Sequence, residues 1–173
     1  MTFRPYLPSD DARFLSWLPS GKAAFHRLCA GVFPFPPTAE ALSSFQKRTE
    51  TEPGTRWIAE DENGVPCGHF RLQKDTAHDR IHFSMILIDP ERRGQGLGKT
   101  MLREALSVLG KESGAGTATL WVFDANEAAK RCYRSVGLKS AASEGEVPGL
   151  AGTKIVVTSD GFAEAARLLA IRL

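Results

Sequence analysis

The sequence predicts a mixed α/β domain built around one twisted sheet, and three observations lead there. Short apolar runs rich in β-branched and aromatic residues recur between turn signals: Arg56–Glu60, Val65–Gln73, Ile81–Ile88 and Ala118–Phe123. Segments with helical spacing alternate with them, the clearest being Leu97, Met101, Leu102, Ala105, Leu106 and Leu109. A chain of 173 residues, 42% hydrophobic and 24% charged, has the length and composition of a single globular domain spanning 1–173.

Phe3–Pro5 reads as the first strand. Pro8-Ser9-Asp10-Asp11 offers caps for a helix through Ala12, Leu15 and Leu18, which Pro19-Ser20-Gly21 stops. A second apolar patch, Ala23–Val32, runs into Pro34, Pro36 and Pro37, which forbid a continuous helix. Thr38 is expected to cap a helix reaching about Arg48, with Ala41 at its third position. Pro53-Gly54 punctuates the chain, and Asp61-Glu62-Asn63-Gly64 joins the next two strands as a hairpin. Gly110 and Gly114–Gly116 are expected to end the helix from Leu97. Asp124-Ala125-Asn126 caps a helix that carries Tyr133 and closes at Gly137. Lys154–Thr158 reads as a strand. Phe162–Leu173, with Phe162, Ala166, Leu169 and Ile171, reads as a terminal helix.

The chemistry concentrates between Ile81 and Thr100. A strand broken by Asp89-Pro90 leads through Arg93-Gly94-Gln95-Gly96-Leu97-Gly98 into a helix. Glycines let the backbone approach an anion closely, and the first free N–H groups of the helix point at it. The dinucleotide pattern G-x-G-x-x-G fails, because Lys99 and Met101 stand where glycine is required. Gly98-Lys99-Thr100 ends like a Walker A loop, but its first glycine would fall on Arg93. With Leu120–Asp124 as a conceivable Mg²⁺-carboxylate strand, a nucleotide hydrolase remains the minor alternative.

Arg93-x-x-Gly96-x-Gly98 fits a third pattern, [QR]-x-x-G-x-[GA], without a gap. Asn126-Glu127-Ala128-Ala129-Lys130-Arg131-Cys132-Tyr133-Arg134-Ser135-Val136-Gly137-Leu138 fits N-x-x-A-x-x-x-Y-x-x-x-G-[FL], one helix and one strand further on. On these two motifs the chain resembles the GNAT superfamily of acyl-CoA-dependent N-acetyltransferases. The likeness covers Arg56–Leu138 well, residues 1–55 loosely and 139–173 poorly.

The resemblance implies a mostly antiparallel sheet with two parallel strands splayed apart at the acyl-CoA site. Residues 1–55 would supply acceptor-side helices, and 139–173 an atypical C-terminal segment. It implies acetyl-CoA as co-substrate and no metal. The loop Arg93, Gly94, Gln95, Gly96, Leu97, Gly98, Lys99 and Thr100 would hold the pyrophosphate on backbone N–H groups, with Arg92, Arg93, Lys99 and Arg103 adding charge. Ile86, Leu87 and Ile88 would border the pantetheine arm, and the Ile86 N–H would meet the thioester oxygen. Asn126, a helix cap in any protein, would also reach the coenzyme arm. Tyr133 would protonate the departing thiolate.

An alkylamine must lose a proton before it attacks, and His82 is the candidate base. Its sequence parity with Ser84, Ile86 and Ile88 places it on their face of the strand. Some arylalkylamine-acetylating relatives carry histidines at the positions matching His82 and Ser84; only the first is present here. The implied reaction moves an acetyl group to the primary amine of a small molecule or peptide N-terminus by direct attack on the thioester. A non-catalytic acetyl-CoA-binding sensor is the alternative. The opening Phe3-Arg4-Pro5, Asp10, Phe14-Leu15 and Trp17 is similar to relatives that acetylate ribosomal-protein N-termini or aminoglycosides. Phe25, Phe33, Phe35 and Trp57, with few acids until Glu40, Glu50 and Glu52, favour a small amine or peptide α-amine over a polycation.

Composition sets the remaining expectations. A net charge of +2 gives no broad basic field for nucleic acid. Cys29, Cys67 and Cys132 form neither a disulfide framework nor a C-x-x-C pair. No signal core or bilayer-length apolar run stands out, so a cytoplasmic location and no membrane partner are expected, with a homodimer conceivable.

Overall fold

The computed structural model describes residues 1–51, 55–141, 152–159 and 161–173. The expected break at Pro53-Gly54 lies outside them, as does Glu52. The architecture is mixed α/β, an open eight-stranded sheet flanked by helices. The strands are β1 (Thr2–Pro5), β2 (Thr55–Glu60), β3 (Pro66–Asp75), β4 (Arg80–Ile88), β5 (Thr117–Phe123), β6 (Lys139–Ser140), β7 (Thr153–Val157) and β8 (Ala163–Arg172). Their order is β1-β2-β3-β4-β5-β8-β6, with β7 also paired to β8, and only β4 and β5 run parallel. The sheet is therefore mostly antiparallel.

Helices α1 (Asp11–Trp17), α2 (Lys22–Cys29) and α3 (Ala39–Thr51) precede the hairpin. The prolines at 34, 36 and 37 do not prevent α2, because it has already ended at Ala30, whose backbone turns left-handed with φ 48°. Thr38 caps α3 as expected, its Oγ1 accepting from the Ala41 N–H at 3.1 Å. Helix α4 (Leu97–Ala105) continues through a wide π turn, Leu106–Gly110, into α5 (Lys111–Ser113). Gly110 is thus inside the helix rather than at its end. A Cβ there would lie 3.2 Å from the Leu173 side chain, and Gly114 at φ 67° makes the stop. Helix α6 (Glu127–Ser135) starts on Asn126, whose side chain accepts from the Ala129 N–H at 3.2 Å, and Gly137 follows at φ 98°.

The C-terminal expectation is corrected. Residues 163–172 form not a helix but β8, paired with β5 from Thr117↔Arg172 to Phe123↔Ala166. Its other edge carries β7 and β6. Alanine and leucine favour a helix locally, but β5 would otherwise lose a seven-residue ladder, and tertiary pairing overrides propensity. Leu168 and Leu169 are both buried, on opposite faces of a strand covered on both sides, which is why no alternation marks it.

One irregularity in β4 decides which way its side chains face. Arg71 of β3 pairs with Ser84 but His69 pairs with Leu87, so Phe70 alone faces both Met85 and Ile86. This is a β-bulge, with Met85 at φ 51°. Side-chain parity flips across it. Ile81, Phe83, Ile86 and Ile88 pack in the cluster beneath α4 and α6. Met85 and Leu87 pack instead with Phe14, Trp17, Phe25 and Leu42 of the first three helices. His82 and Ser84 therefore do not share the face of Ile86 and Ile88, contrary to the parity read from sequence.

Candidate active site

The parallel ladder between β4 and β5 ends at Phe83↔Leu120. Beyond that pair the strands part, and a cleft of about 710 Å³ opens between them. Its floor is β4 from Phe83 to Ile88. One side is Arg92, Arg93, Gly94, Gly96, Leu97, Gly98 and Lys99. The other is Trp121, Ala125 and Asn126 with the α6 face Ala128, Ala129, Arg131, Cys132 and Tyr133, while Pro19, Ala24, Arg27 and Leu28 complete the lining.

The glycine loop has the form an anion needs. Gly94 and Gly96 both take φ 80°, and nothing lies within 4 Å of where a Cβ would project from either. Gly96 caps α4, leaving the N–H groups of Leu97, Gly98 and Lys99 outside the helical ladder. Successive amides from such a turn form a concave nest for phosphate oxygens. A Gly96→Val variant must force a branched residue into the left-handed region. It is expected to raise the Kd for acetyl-CoA at least about tenfold, read by calorimetry, with Tm as the folding control.

Several expected contributors have other work. The Thr100 N–H donates to Gly96 O at 3.1 Å, so it belongs to the helix and is not free for an anion. Gln95 is exposed and outside the cleft lining, and so is Arg103. Arg93 lines the cleft but ties the loop down, with Nε 3.2 Å from Ile88 O and Nη2 3.4 Å from Trp17 O. Arg92 is paired with Asp61 at 2.8 Å. Asp124, the candidate Mg²⁺ carboxylate, is engaged by Arg167. That pairing occupies the carboxylate on which a nucleotide hydrolase would rely. Among the described residues no group of three His, Cys, Asp or Glu could hold a metal ion.

Tyr133 is buried at 8% exposure and lines the cleft opposite β4. Burial, and then the neighbouring Cys132, lift its phenol above the ordinary value, so its proton stays in place. His82 is set apart. It is outside the lining, and its Nδ1 lies 2.9 Å from Thr119 Oγ1, which lies 3.2 Å from Ile81 O. The Thr119 hydroxyl donates to that carbonyl and so accepts from the His82 Nδ1–H. Burial, and then the charges of Lys154, Arg80 and Arg71, push His82 down to about 4. An imidazole of such low proton affinity is a weak base.

Sequence reasoning missed Arg131, Cys132, Trp121 and Arg27. Cys132 stands three residues after the motif residue Ala129, and Arg131 three after its neighbour Ala128, so helical spacing along α6 would have found them. Nothing local marks Trp121 or Arg27, which reach the cleft only through the strand splay and the docking of α2.

Known proteins agree with this architecture. The sequence profile of the Acetyltransferase (GNAT) family matches residues 22–138. The peptidyl-lysine N-acetyltransferase YjaB of Escherichia coli K12 is 32% identical over 104 residues, 56% of this chain and 63% of that protein. The chain thus spans somewhat less than two thirds of this relative's length. Among solved structures, spermidine N-acetyltransferase from Vibrio cholerae in complex with CoA and spermine superposes with a TM-score of 0.72. It is 17% identical, over 99% of this chain and 94% of that one. A chimera of the Vibrio cholerae spermidine N-acetyltransferase SpeG and hSSAT superposes at 0.71, with 17% identity over 99% and 96% of the two chains. The fold is the one these acetyltransferases share. The chain belongs to the GNAT family of acetyltransferases.

Proposed function

We propose that this protein transfers an acetyl group from acetyl-CoA to the primary amine of a small molecule or a peptide by direct attack on the thioester. The observation that carries the reading is the single cleft joining the Gly94–Lys99 amides to Tyr133 across the splay of β4 and β5. In this reading the amides of Gly94 to Lys99 grip the pyrophosphate, with Lys99 and Arg131 adding charge at the rim. The coenzyme arm runs along Ile86, Leu87 and Ile88, where β4 has no partner strand on its β5 side. The Ile86 N–H stabilises the charge that grows on the thioester oxygen. The Tyr133 hydroxyl donates its proton to the sulfur as the C–S bond breaks. Asn126 spends its carbonyl oxygen on the helix cap, leaving its amide NH₂ toward the arm.

Cleft water takes the amine proton in this proposal, because His82 is outside the lining and holds a proton weakly. The acceptor wall of Pro19, Ala24, Leu28, Phe83 and Trp121 is apolar, and its one charge, Arg27, is held bidentately by Glu164. Among the described residues no carboxylate lines the cleft. A polyamine needs carboxylates to replace its hydration, so the fold likeness to spermidine acetyltransferases does not extend to the acceptor proposed here. The sequence relative named for peptidyl-lysine supports an amine presented by a peptide or small molecule. A panel of amines read by CoA release tests this. Turnover of peptide or apolar monoamines is expected. Turnover confined to polyamines or aminoglycosides would reverse the acceptor class, and acetyl-CoA binding with no turnover on any amine would reverse the catalytic reading.

A further inference from the structure

The β4 bulge is held from behind by a histidine that the proposed reaction does not use. His69 on β3 is fully enclosed, with Nδ1 2.9 Å from Met85 O and Nε2 3.2 Å from Arg56 Nε. A guanidinium can only donate, so Nε2 accepts and the proton sits on Nδ1, donating to the Met85 carbonyl. Burial, and then the charge of Arg56, push this imidazole down to about 3, so the neutral tautomer persists across the working range of pH. The rings of Phe14 and Tyr6 stand over it, with centroids at 4.7 and 5.7 Å. Met85 needs such support. A side chain at φ 51° is strained, and a residue keeps that conformation only where its surroundings over-determine it.

We propose that His69 is a positioning residue that locks the Met85 bulge and thereby aims the Ile86 N–H at the thioester oxygen. The inference rests on the acetyltransferase reading. The extra residue of the bulge comes immediately before Ile86 and beyond the last β4–β5 pair, so the direction of the strand at Ile86 is set by how Met85 sits. The support continues toward the acceptor-side helices. Arg56 stacks 3.5 Å above the Tyr6 ring, and the Tyr6 hydroxyl donates to Asp11 Oδ1 at 2.8 Å, at the start of α1. The line from α1 to the bulge is therefore continuous. An N–H aimed at developing charge loses its effect when tilted, so a small rotation at Met85 is felt in the rate and hardly at all in coenzyme affinity.

Two variants test this. His69→Gln keeps an acceptor for Arg56 and loses the donor to Met85 O; His69→Asn places an amide N–H near the Nδ1 position and keeps that donor. His69→Gln is expected to lower kcat about tenfold to a hundredfold, with the acetyl-CoA KM and the CoA Kd within about threefold of wild type. His69→Asn should recover most of the rate. Hydrogen exchange in the free full-length chain should quicken at 84–88 in the Gln variant alone. In a Met85→Gly background, where the bulge is at ease without support, His69→Gln should cost much less. An unchanged kcat in folded His69→Gln overturns the proposal. Equal losses in both variants that follow Tm also overturn it, because they report packing only. A wild type inactive on every amine overturns the acetyltransferase reading, and the clamp's part in turnover with it. An active wild type with an indifferent His69→Gln overturns the clamp alone.

Discussion

Tyr133→Phe is expected to lower kcat by about a hundredfold or more while leaving the fold and the acetyl-CoA KM nearly unchanged. The departing group is a thiolate, and in the proposed reaction Tyr133 is the protonated side chain that the cleft brings to it. Cys132 lines the same wall, and burial pushes its thiol up as well, so a Cys132→Ala variant that keeps its rate is the companion control. Phenylalanine fills the same buried space, so the core around Leu102, Leu120 and Leu138 should stay packed, and a Tm within a few degrees of wild type is the control. The pH dependence distinguishes the role further. Burial raises the phenol's affinity for its proton, so the wild-type kcat should show no fall near the ordinary tyrosine value of 10.0. Single-turnover rates separate the chemical step from CoA release. A variant that keeps more than half of the wild-type single-turnover rate would remove Tyr133 from the chemistry.

The places of Tyr133 and the glycine loop in the cleft were legible, the first through the motif shared with the GNAT superfamily and the second because a loop at a helix start is a local feature. An anion site on a helix N-terminus needs glycine at the turn and free amides after it, and both lie within a few consecutive residues. Asn126 was legible for the same reason, since a cap and the N–H it accepts from are three residues apart. The hairpin around Asp61 was too, where the Asp61 carboxylate accepts from the Asn63 and Val65 N–H groups.

What sequence hid was non-local. The stretch from Ala163 to Arg172 has a helix-former's composition, and only the vacant edge of β5 turns it into a strand. That edge is some forty positions away and leaves no local mark. Met85 is a second case. A left-handed residue is usually announced by glycine or asparagine, and methionine announces nothing. Without the bulge the alternation of β4 carries His82 to the face of Ile86 and Ile88; with it, His82 goes to the other. The same hidden feature gives His69 its partner. One dihedral angle thus carries His82 off the expected face and sets the Met85 carbonyl against His69.

The two histidines also make the fold sensitive to acid. His69 is held near 3 and His82 near 4, against an ordinary value of 6.5, in both cases chiefly because burial disfavours the charged ring. An unfolded chain binds protons at these positions from about pH 6.5 downward. The folded chain does not until pH approaches 4 for His82 and 3 for His69. In that window the unfolded state binds more protons, so stability is complete above about pH 6.5 and declines as pH falls. From pH 7.5 to 5 the linkage amounts to about 2 kcal/mol for His69 and somewhat less for His82, whose ring is less completely enclosed. Together that is a large part of the roughly 5–15 kcal/mol typical of a domain. The carboxylates held low by ion pairs, such as Asp10 on Arg4, begin to lose stability only at lower pH. Urea titrations at pH 7.5 and 5 should therefore show a marked drop in midpoint. His82→Gln should flatten it by nearly half and His69→Asn, which keeps the Met85 hydrogen bond, by about half. A midpoint that holds steady down to pH 5 would mean that both rings accept protons without leaving their sites, and the neutral His69 tautomer would go with it.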